Sequence, residues 1–318
     1  MIVKKNTPAN FQRKIQYGQP LFEGTFQCAE YITTIKTNSE GFRDTEHNIE
    51  KPKGFFRILI LGDSFTYGLG VEAEQTYPKV LEKILNDMPV RKEVRYEVFN
   101  MGIAGIGTLE EREILKYAIK YKPDLVFLGL FVENRWNLGN GNDLCDNFKT
   151  QGQPTGESLG FKPRLADYLN SFQRFLAAHS ELYFILMTKG GTFFRRNLVG
   201  IRQGRNMIEL EKSWDITQQI LKQINIIAKD SRAKFAIVRI PFLYDVYNNK
   251  PDRVSEILVD FSKANKINIC NLLDFFRGQR HRDLYYPADG HWKALAHKLA
   301  AEEIFRYLIE KNLLFYNN

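Results

Sequence analysis

The chain is expected to fold as an α/β protein, a parallel sheet covered by helices on both faces. Two observations carry that expectation. From Phe55 onward, short β-rich runs alternate with amphipathic helical stretches, the pattern of strand–helix–strand units. The 318 residues are 44% hydrophobic and 13% aromatic, which is ample material for a core and excludes disorder as the main state.

Residues 1 to about 52 mix polar and aromatic types, with a strand-like stretch at Tyr31–Thr37 and a turn signal at Asn38, Ser39, Glu40 and Gly41. They read as an N-terminal extension (1–52) packed on a main domain (53–318). FRILILG, Phe56–Gly62, is the first buried strand. Thr76–Asn86 places Tyr77, Val80, Leu81, Ile84 and Leu85 at helical spacing. Val94–Asn100 is a second strand, Leu109–Tyr121 a second helix and Asp124–Val132 a third strand. Lys234–Pro241 and Ile267–Cys270 bring the count to five. Lys293–Lys311 closes the chain as a long helix with Leu295, Leu299, Ile304 and Leu308 on one stripe.

The block 135–215 is less regular. It opens with a stretch rich in Asn, Gly and Gln (Asn134–Ser158), contains a helix-period segment at Leu165–Ala178, and includes LYFILM, Leu182–Met187, as a sixth strand candidate that periodicity leaves open. No repeat of fixed period is visible. A segment of this length inside a compact domain is expected to be a lid-like insertion.

Forty-five Lys and Arg against 37 Asp and Glu leave a net charge of +8, which allows a basic face without demanding one. Arg195, Arg196, Arg202 and Arg205 cluster beside Phe193 and Phe194, as in a single-strand platform or a patch attracting an acidic substrate. No recognised nucleic-acid module accompanies them, so a solvated basic loop is expected and no nucleic-acid partner. Cys28, Cys145 and Cys270 form neither a CxxC pair nor an even disulfide framework, and read as buried thiols of a reducing compartment. The apolar runs fall short of the roughly 20 residues of a membrane span. The N-terminus shows no apolar signal region, so a cytoplasmic location is expected.

Ser64 follows the first strand in Leu61, Gly62, Asp63, Ser64. Open α/β sheets place ligands at the carboxyl ends of their strands. A serine hydroxyl needs an imidazole to take its proton and an acid to orient that imidazole. Of five histidines, His291 stands out in Pro287, Ala288, Asp289, Gly290, His291, Trp292, a turn before the last helix with a carboxylate two residues away. The plainer reading is that Asp289 caps the helix and His291 faces solvent. Donors for a developing oxyanion could come from the glycine turn containing Gly105 after the second strand and from Asn134 after the third. Each is weak alone, since glycines there form turns and asparagines cap loops. Strands one, two and three nevertheless each end in one required element. Asp63 is read as fixing the nucleophile's turn through the backbone, His297 as a packing or surface residue, and Trp292 as either pocket wall or core.

These blocks resemble the GDSL-type esterases, or SGNH hydrolases, from about Asn38 to Ile309. NSEGFRD with ILILGDSFTYGLGV at the start and DGHWKALAHKLAAE at the end carry the likeness most strongly. The resemblance implies Ser64 as nucleophile and first oxyanion donor, Gly105 and Asn134 as the other donors, His291 as base and Asp289 as its partner. It implies a flavodoxin-like three-layer fold with five parallel strands in the order 2-1-3-4-5, which makes Leu182–Met187 part of a helical insertion overhanging the pocket. Two departures stand out. Arg135 follows Asn134 where the family usually has aspartate, and Asp289 and His291 are two positions apart where three are usual.

The expected activity is therefore hydrolysis of carboxylic esters, with short acyl or acetyl groups, on a small molecule or a glycan. No cofactor and no metal are implied, since the histidines and cysteines lack ligand spacing. Two alternatives use the same scaffold: an O-acyltransferase in which a carbohydrate hydroxyl replaces water, and a noncatalytic binding module with a basic surface. The sequence leaves the oligomeric state open.

Overall fold

A computed structural model of the chain describes residues 18–27, 30–132, 203–247, 253–279, 282–287 and 289–315. Strands β1 (Glu23–Gln27) and β2 (Ile32–Lys36) form an antiparallel hairpin. The central sheet contains β3 (Phe55–Gly62), β4 (Arg95–Gly102), β5 (Leu125–Phe131), β6 (Lys234–Ile240) and β7 (Asn268–Asn271). Its order is β4-β3-β5-β6-β7 and every pairing is parallel. Counted within this sheet, that is 2-1-3-4-5, as the resemblance implies.

Helices α1 (Ser64–Tyr67), α2 (Tyr77–Asp87), α3 (Thr108–Ala118), α4 (Gln203–Asp230), α5 (Leu243–Tyr247), α6 (Arg253–Asn265), α7 (Leu272–Gln279) and α8 (Ala294–Glu310), with short 3-10 turns at Ala73–Gln75 and Ile119–Tyr121, complete the described elements. The two faces of β3 explain the layers. Phe56, Ile58 and Ile60 point into one core with Leu81 and Leu85 of α2, Phe276 of α7 and Ala300 and Ile304 of α8. Leu59 and Leu61 point into the other with Ile114 and Leu115 of α3, Leu221 and Ile224 of α4 and Phe261 of α6. A strand covered on both sides has no polar face, and for this reason FRILILG is apolar at every position but Arg57, whose charge is met inside the fold.

The segment before β3 is bolted to the sheet by buried polar groups. Arg57, fully buried on β3, donates to the carbonyls of Ile49, Glu50 and Tyr121 and pairs with Glu97 at 2.6 Å. Within NSEGFRD, the Asn38 side chain accepts from the amides of Glu40 and Phe42. The Arg43 guanidinium, also fully buried, donates to the carbonyls of Thr34, Tyr67, Gly68 and Val71. Asp44 accepts from the Asn100 amide at 2.7 Å and faces His47 and Lys79. Burial pushes the Asp44 carboxyl up, but His47 and Lys79 outweigh it and hold it below the usual carboxylate range.

The stretch 133–202 lies outside the described residues, and with it Asn134, Arg135, the Leu165–Ala178 and Leu182–Met187 segments, Cys145, Arg195, Arg196 and Arg202. Helix α4 begins at Gln203, inside the expected insertion, and continues past Asp215 into the core. Cys28 also lies outside the described residues, whereas Cys270 is a buried free thiol. No helix among the described residues is long and apolar enough to cross a membrane.

Candidate active site

The first strand of an open sheet has neighbours on both sides, and the helices that follow it leave on opposite faces. The crevice at its carboxyl end is the topological switch point. In this sheet that strand is β3, flanked by β4 and β5, and the residue that emerges there is Ser64, the first of α1. Its N–H, at the helix start, has no carbonyl four residues back within the helix to bind. Asp63 caps the turn, its Oδ1 accepting from the Phe65 amide at 3.0 Å. This is the backbone task expected of Asp63.

Close packing behind Ser64 requires small residues. A Cβ on Gly102, at the end of β4, would lie 2.3 Å from the Tyr67 nitrogen and 2.6 Å from the Thr66 carbonyl carbon. The amide of Ile103 donates to Gly62 O at 3.0 Å, tying the turn after β4 to the strand that delivers Ser64. Gly105 lies in that turn with φ +78°, and a Cβ there would meet nothing within 4 Å. Conformation, not space, favours glycine at this position.

The third component comes from the other end of the chain. Tyr285 and Trp292 form an antiparallel bridge, the Gly290 amide donates to Tyr286 O, and the Tyr286 amide donates to His291 O at 2.9 Å. Trp292 is wholly buried, packed on Phe65, Phe276 and Tyr77. Of the two readings of this tryptophan, the core one holds, and its burial holds His291 against the turn that carries Ser64.

The resulting geometry is compact. His291 Nε2 lies 2.7 Å from Ser64 Oγ, and His291 Nδ1 lies 2.6 Å from Asp289 Oδ2. The His291 and Asp289 side chains are 14% and 26% exposed, so solvent reaches the edge of the array. Burial pushes the Asp289 carboxyl up, but the His291 ring, its hydrogen bond and the Tyr31 hydroxyl hold it below the usual carboxylate range. A carboxylate beside Nδ1 favours the tautomer with the proton on Nδ1 and an acceptor lone pair on Nε2.

His291 is therefore not a solvent-facing histidine, and Asp289 bonds its ring rather than capping the last helix. Asn134 lies outside the described residues. His297 is buried, its Nδ1 accepting from the Tyr77 amide at 3.2 Å. Burial, with the charges of Arg43 and His291, lowers its ring to about 3 and keeps it neutral. Two contacts had no signal in the sequence. Tyr31 Oη donates to Asp289 Oδ2 at 3.3 Å, and Glu30 Oε2 accepts from the Asp289 amide at 2.7 Å. Beside Ser64, Asp63 and Glu111 line one recess with Gly107, Thr108, Leu130 and Phe131, and burial raises the Asp63 carboxyl to about 7.

The profile of the family described as GDSL-like Lipase/Acylhydrolase matches residues 58–304. The chain belongs to that family. It is accordingly a hydrolase of the ester-cleaving class. Comparison with curated proteins by sequence finds no match. Among solved structures the chain is similar to TesA, at 19% identity and a TM-score of 0.46, over 81% of this chain and 99% of that one. It is similar to a putative lipolytic protein of the G-D-S-L family from Desulfitobacterium hafniense DCB-2, at 14% identity and a TM-score of 0.44, over 79% and 99%. An acetyl xylan esterase, AlAXEase, is similar at 12% identity and a TM-score of 0.46, over 79% and 98%. These likenesses are distant, and membership of the family rests on the match over 58–304.

Proposed function

We propose that this GDSL-family hydrolase cleaves carboxylic esters through an acyl-enzyme on Ser64, with His291 as general base and Asp289 as its orienting partner. The observation that carries the reading is the hydrogen-bonded line from Ser64 Oγ to His291 Nε2 and from His291 Nδ1 to Asp289, at 2.7 and 2.6 Å. In this array Ser64 donates its proton to Nε2 as Oγ attacks the ester carbonyl, and Asp289 stabilises the imidazolium that forms. His291 returns the proton to the departing alcohol. Water then adds to the acyl-enzyme, His291 again acting as base, and Ser64 is regenerated with release of the acid.

The negative charge of each tetrahedral intermediate falls to the Ser64 N–H, the Gly105 N–H and the Asn134 amide, a set taken from the family pattern. Donors of this kind lower the barrier by about 3 kcal/mol each. The preferred substrates are short acyl esters, acetyl groups on a carbohydrate among them, because family members commonly act on such esters.

Release of p-nitrophenol from acetate, butyrate and octanoate esters by the purified protein, beside its Ser64→Ala variant, tests the reading. Turnover that is lost in the variant and falls with chain length is the expected result. Equal rates from the two proteins, or turnover by neither on these esters and on acetylated oligosaccharides, would overturn it.

A further inference from the structure

The tip of the N-terminal hairpin meets the turn that carries Asp289 and His291. Asp289 Oδ2 accepts two hydrogen bonds, one involving His291 Nδ1 at 2.6 Å and one from Tyr31 Oη at 3.3 Å. The second is long for an O–H···O bond, as such bonds often are before substrate binds. The residue before Tyr31 holds the same aspartate from its backbone, Glu30 Oε2 accepting from the Asp289 amide at 2.7 Å. Tyr31 is 5% exposed and Glu30 8%. The Tyr31 ring is fixed between Phe26, at 5.9 Å, and Tyr286, at 4.6 Å, and the Tyr286 hydroxyl is itself bonded to Gly70 O.

We propose that Tyr31 is a positioning residue for ester cleavage, its hydroxyl fixing the Asp289 oxygen that orients His291. The inference rests on the roles assigned above to Ser64, His291 and Asp289. A carboxylate that is a quarter exposed can turn about its Cβ–Cγ bond. The backbone latch to Glu30 and two donors on one oxygen remove that freedom, so the base is aligned before substrate arrives. The hydroxyl also takes up part of the carboxylate's charge. Without it, Asp289 acts more strongly on the ring and favours the protonated imidazole, which cannot accept the Ser64 proton.

Among the described residues, the other charged or titratable groups facing this array include Glu30 of the hairpin, the buried Arg43, whose charge acts on Tyr31, Asp63 beside Ser64, the buried His297, and Lys293, whose ammonium stands 5.6 Å over the Tyr286 ring. All remain when only the hydroxyl is removed. The Tyr31→Phe variant does this while keeping the ring on Phe26 and Tyr286. Its kcat for p-nitrophenyl acetate should fall about tenfold with KM within about twofold. The acid limb of kcat/KM, followed from about pH 5 to 9, should move to higher pH.

A second readout needs no substrate. The ring of His291, followed by NMR through the same pH range in wild type and variant, should titrate at higher pH in the variant. Wild-type kcat and an unmoved acid limb in Tyr31→Phe, with loss confined to Tyr31→Ala, would reduce Tyr31 to packing and overturn the proposal. If wild type shows no Ser64-dependent turnover, the ester-cleavage reading fails separately. The His291 titration then decides whether Tyr31 acts on the ring, and an unmoved midpoint overturns it.

Discussion

His291 Nε2 lies 2.7 Å from Ser64 Oγ although the two residues are 227 positions apart. That distance is set by packing: Phe65, next to Ser64, and Trp292, next to His291, have ring centroids 5.3 Å apart inside the core. The two polar side chains are thereby fixed by their aromatic neighbours. Ser64→Ala and His291→Ala should each lower kcat by about four orders of magnitude or more, since groups acting as one unit fail together. Asp289→Asn, which keeps the shape but favours the wrong tautomer, should cost on the order of a thousandfold. Thermal unfolding should shift by only a few degrees in any of the three. A loss of activity accompanied by unfolding would indicate a structural role instead.

Legibility of the fold followed burial. FRILILG declares itself because both faces of β3 are covered, and Tyr77, Leu81 and Leu85 mark one face of α2. That Ser64, Asp289 and His291 meet is legible because the proposed chemistry needs those residue types at strand ends and turns. Strand β1 is not, because its side chains are half-buried or exposed and alternate without an apolar face. Helices α6 and α7 carry a weaker mark, α6 burying only two of its 13 residues and α7 only three of eight. The order of the sheet came from family resemblance, since βαβ patterning alone allowed six strands. The contact between Tyr31 and Asp289 spans 258 positions, and no local pattern encodes it.

The oxyanion assignment separates chemistry from folding. Asn134→Ala should lower kcat by about a hundredfold with KM little changed, the mark of an interaction made only in the transition state. Gly105→Ala meets no steric obstacle but must hold φ at +78°, a conformation that costs an L-residue roughly 1–2 kcal/mol. Denaturant unfolding should register that cost, and steady-state kinetics on p-nitrophenyl acetate should show a larger loss than the stability change explains. Unchanged kcat in Asn134→Ala would remove the residue from the site.

Gly102 predicts the opposite balance. The α1 backbone passes where its side chain would stand, the Tyr67 nitrogen lying 2.3 Å from the position of a Cβ, so alanine must push the helix that carries Ser64. Backbone cannot rotate aside as a flexible side chain can. Gly102→Ala should destabilise the fold by about 2 kcal/mol or more and reduce turnover through a misplaced Ser64. Retained stability with full activity would mean that β4 and α1 can separate at little cost.

Arg43 stabilises the far end of the same helix. Its guanidinium has no exposure and donates to four carbonyls, three of which, Tyr67, Gly68 and Val71, cap the turn after Ser64. Arg43→Met fills similar volume but removes the guanidinium from all of them, the Gly68 carbonyl keeping a second donor, the Val71 amide at 3.3 Å, at a cost of about 3 kcal/mol or more. Arg43→Lys restores one charge and part of the bonding, and should recover part of the loss. Urea unfolding of the three proteins would rank them; equal midpoints would show that water replaces the guanidinium.

Asp63 supplies a pH dependence whose sign can be worked out. Burial raises its carboxyl from 3.8 to about 7, opposed by the Phe65 amide and by the charge of His291. Glu111, which lines the same recess, is raised well above its ordinary value by burial and then by Asp63 itself. The unfolded chain releases the Asp63 proton near pH 4, whereas the folded chain keeps it until about pH 7. Over that window the folded state binds more protons, so stability falls as pH rises, and above about pH 7 the loss is complete. The full span is worth at most about 4 kcal/mol. Asparagine at this position can still accept from the Phe65 amide through Oδ1 but has no proton to lose. Asp63→Asn should therefore be more stable than wild type at about pH 8, with the advantage vanishing toward about pH 4. Melting temperatures of the two proteins across that range provide the check, and parallel curves would place the Asp63 proton outside the folding equilibrium.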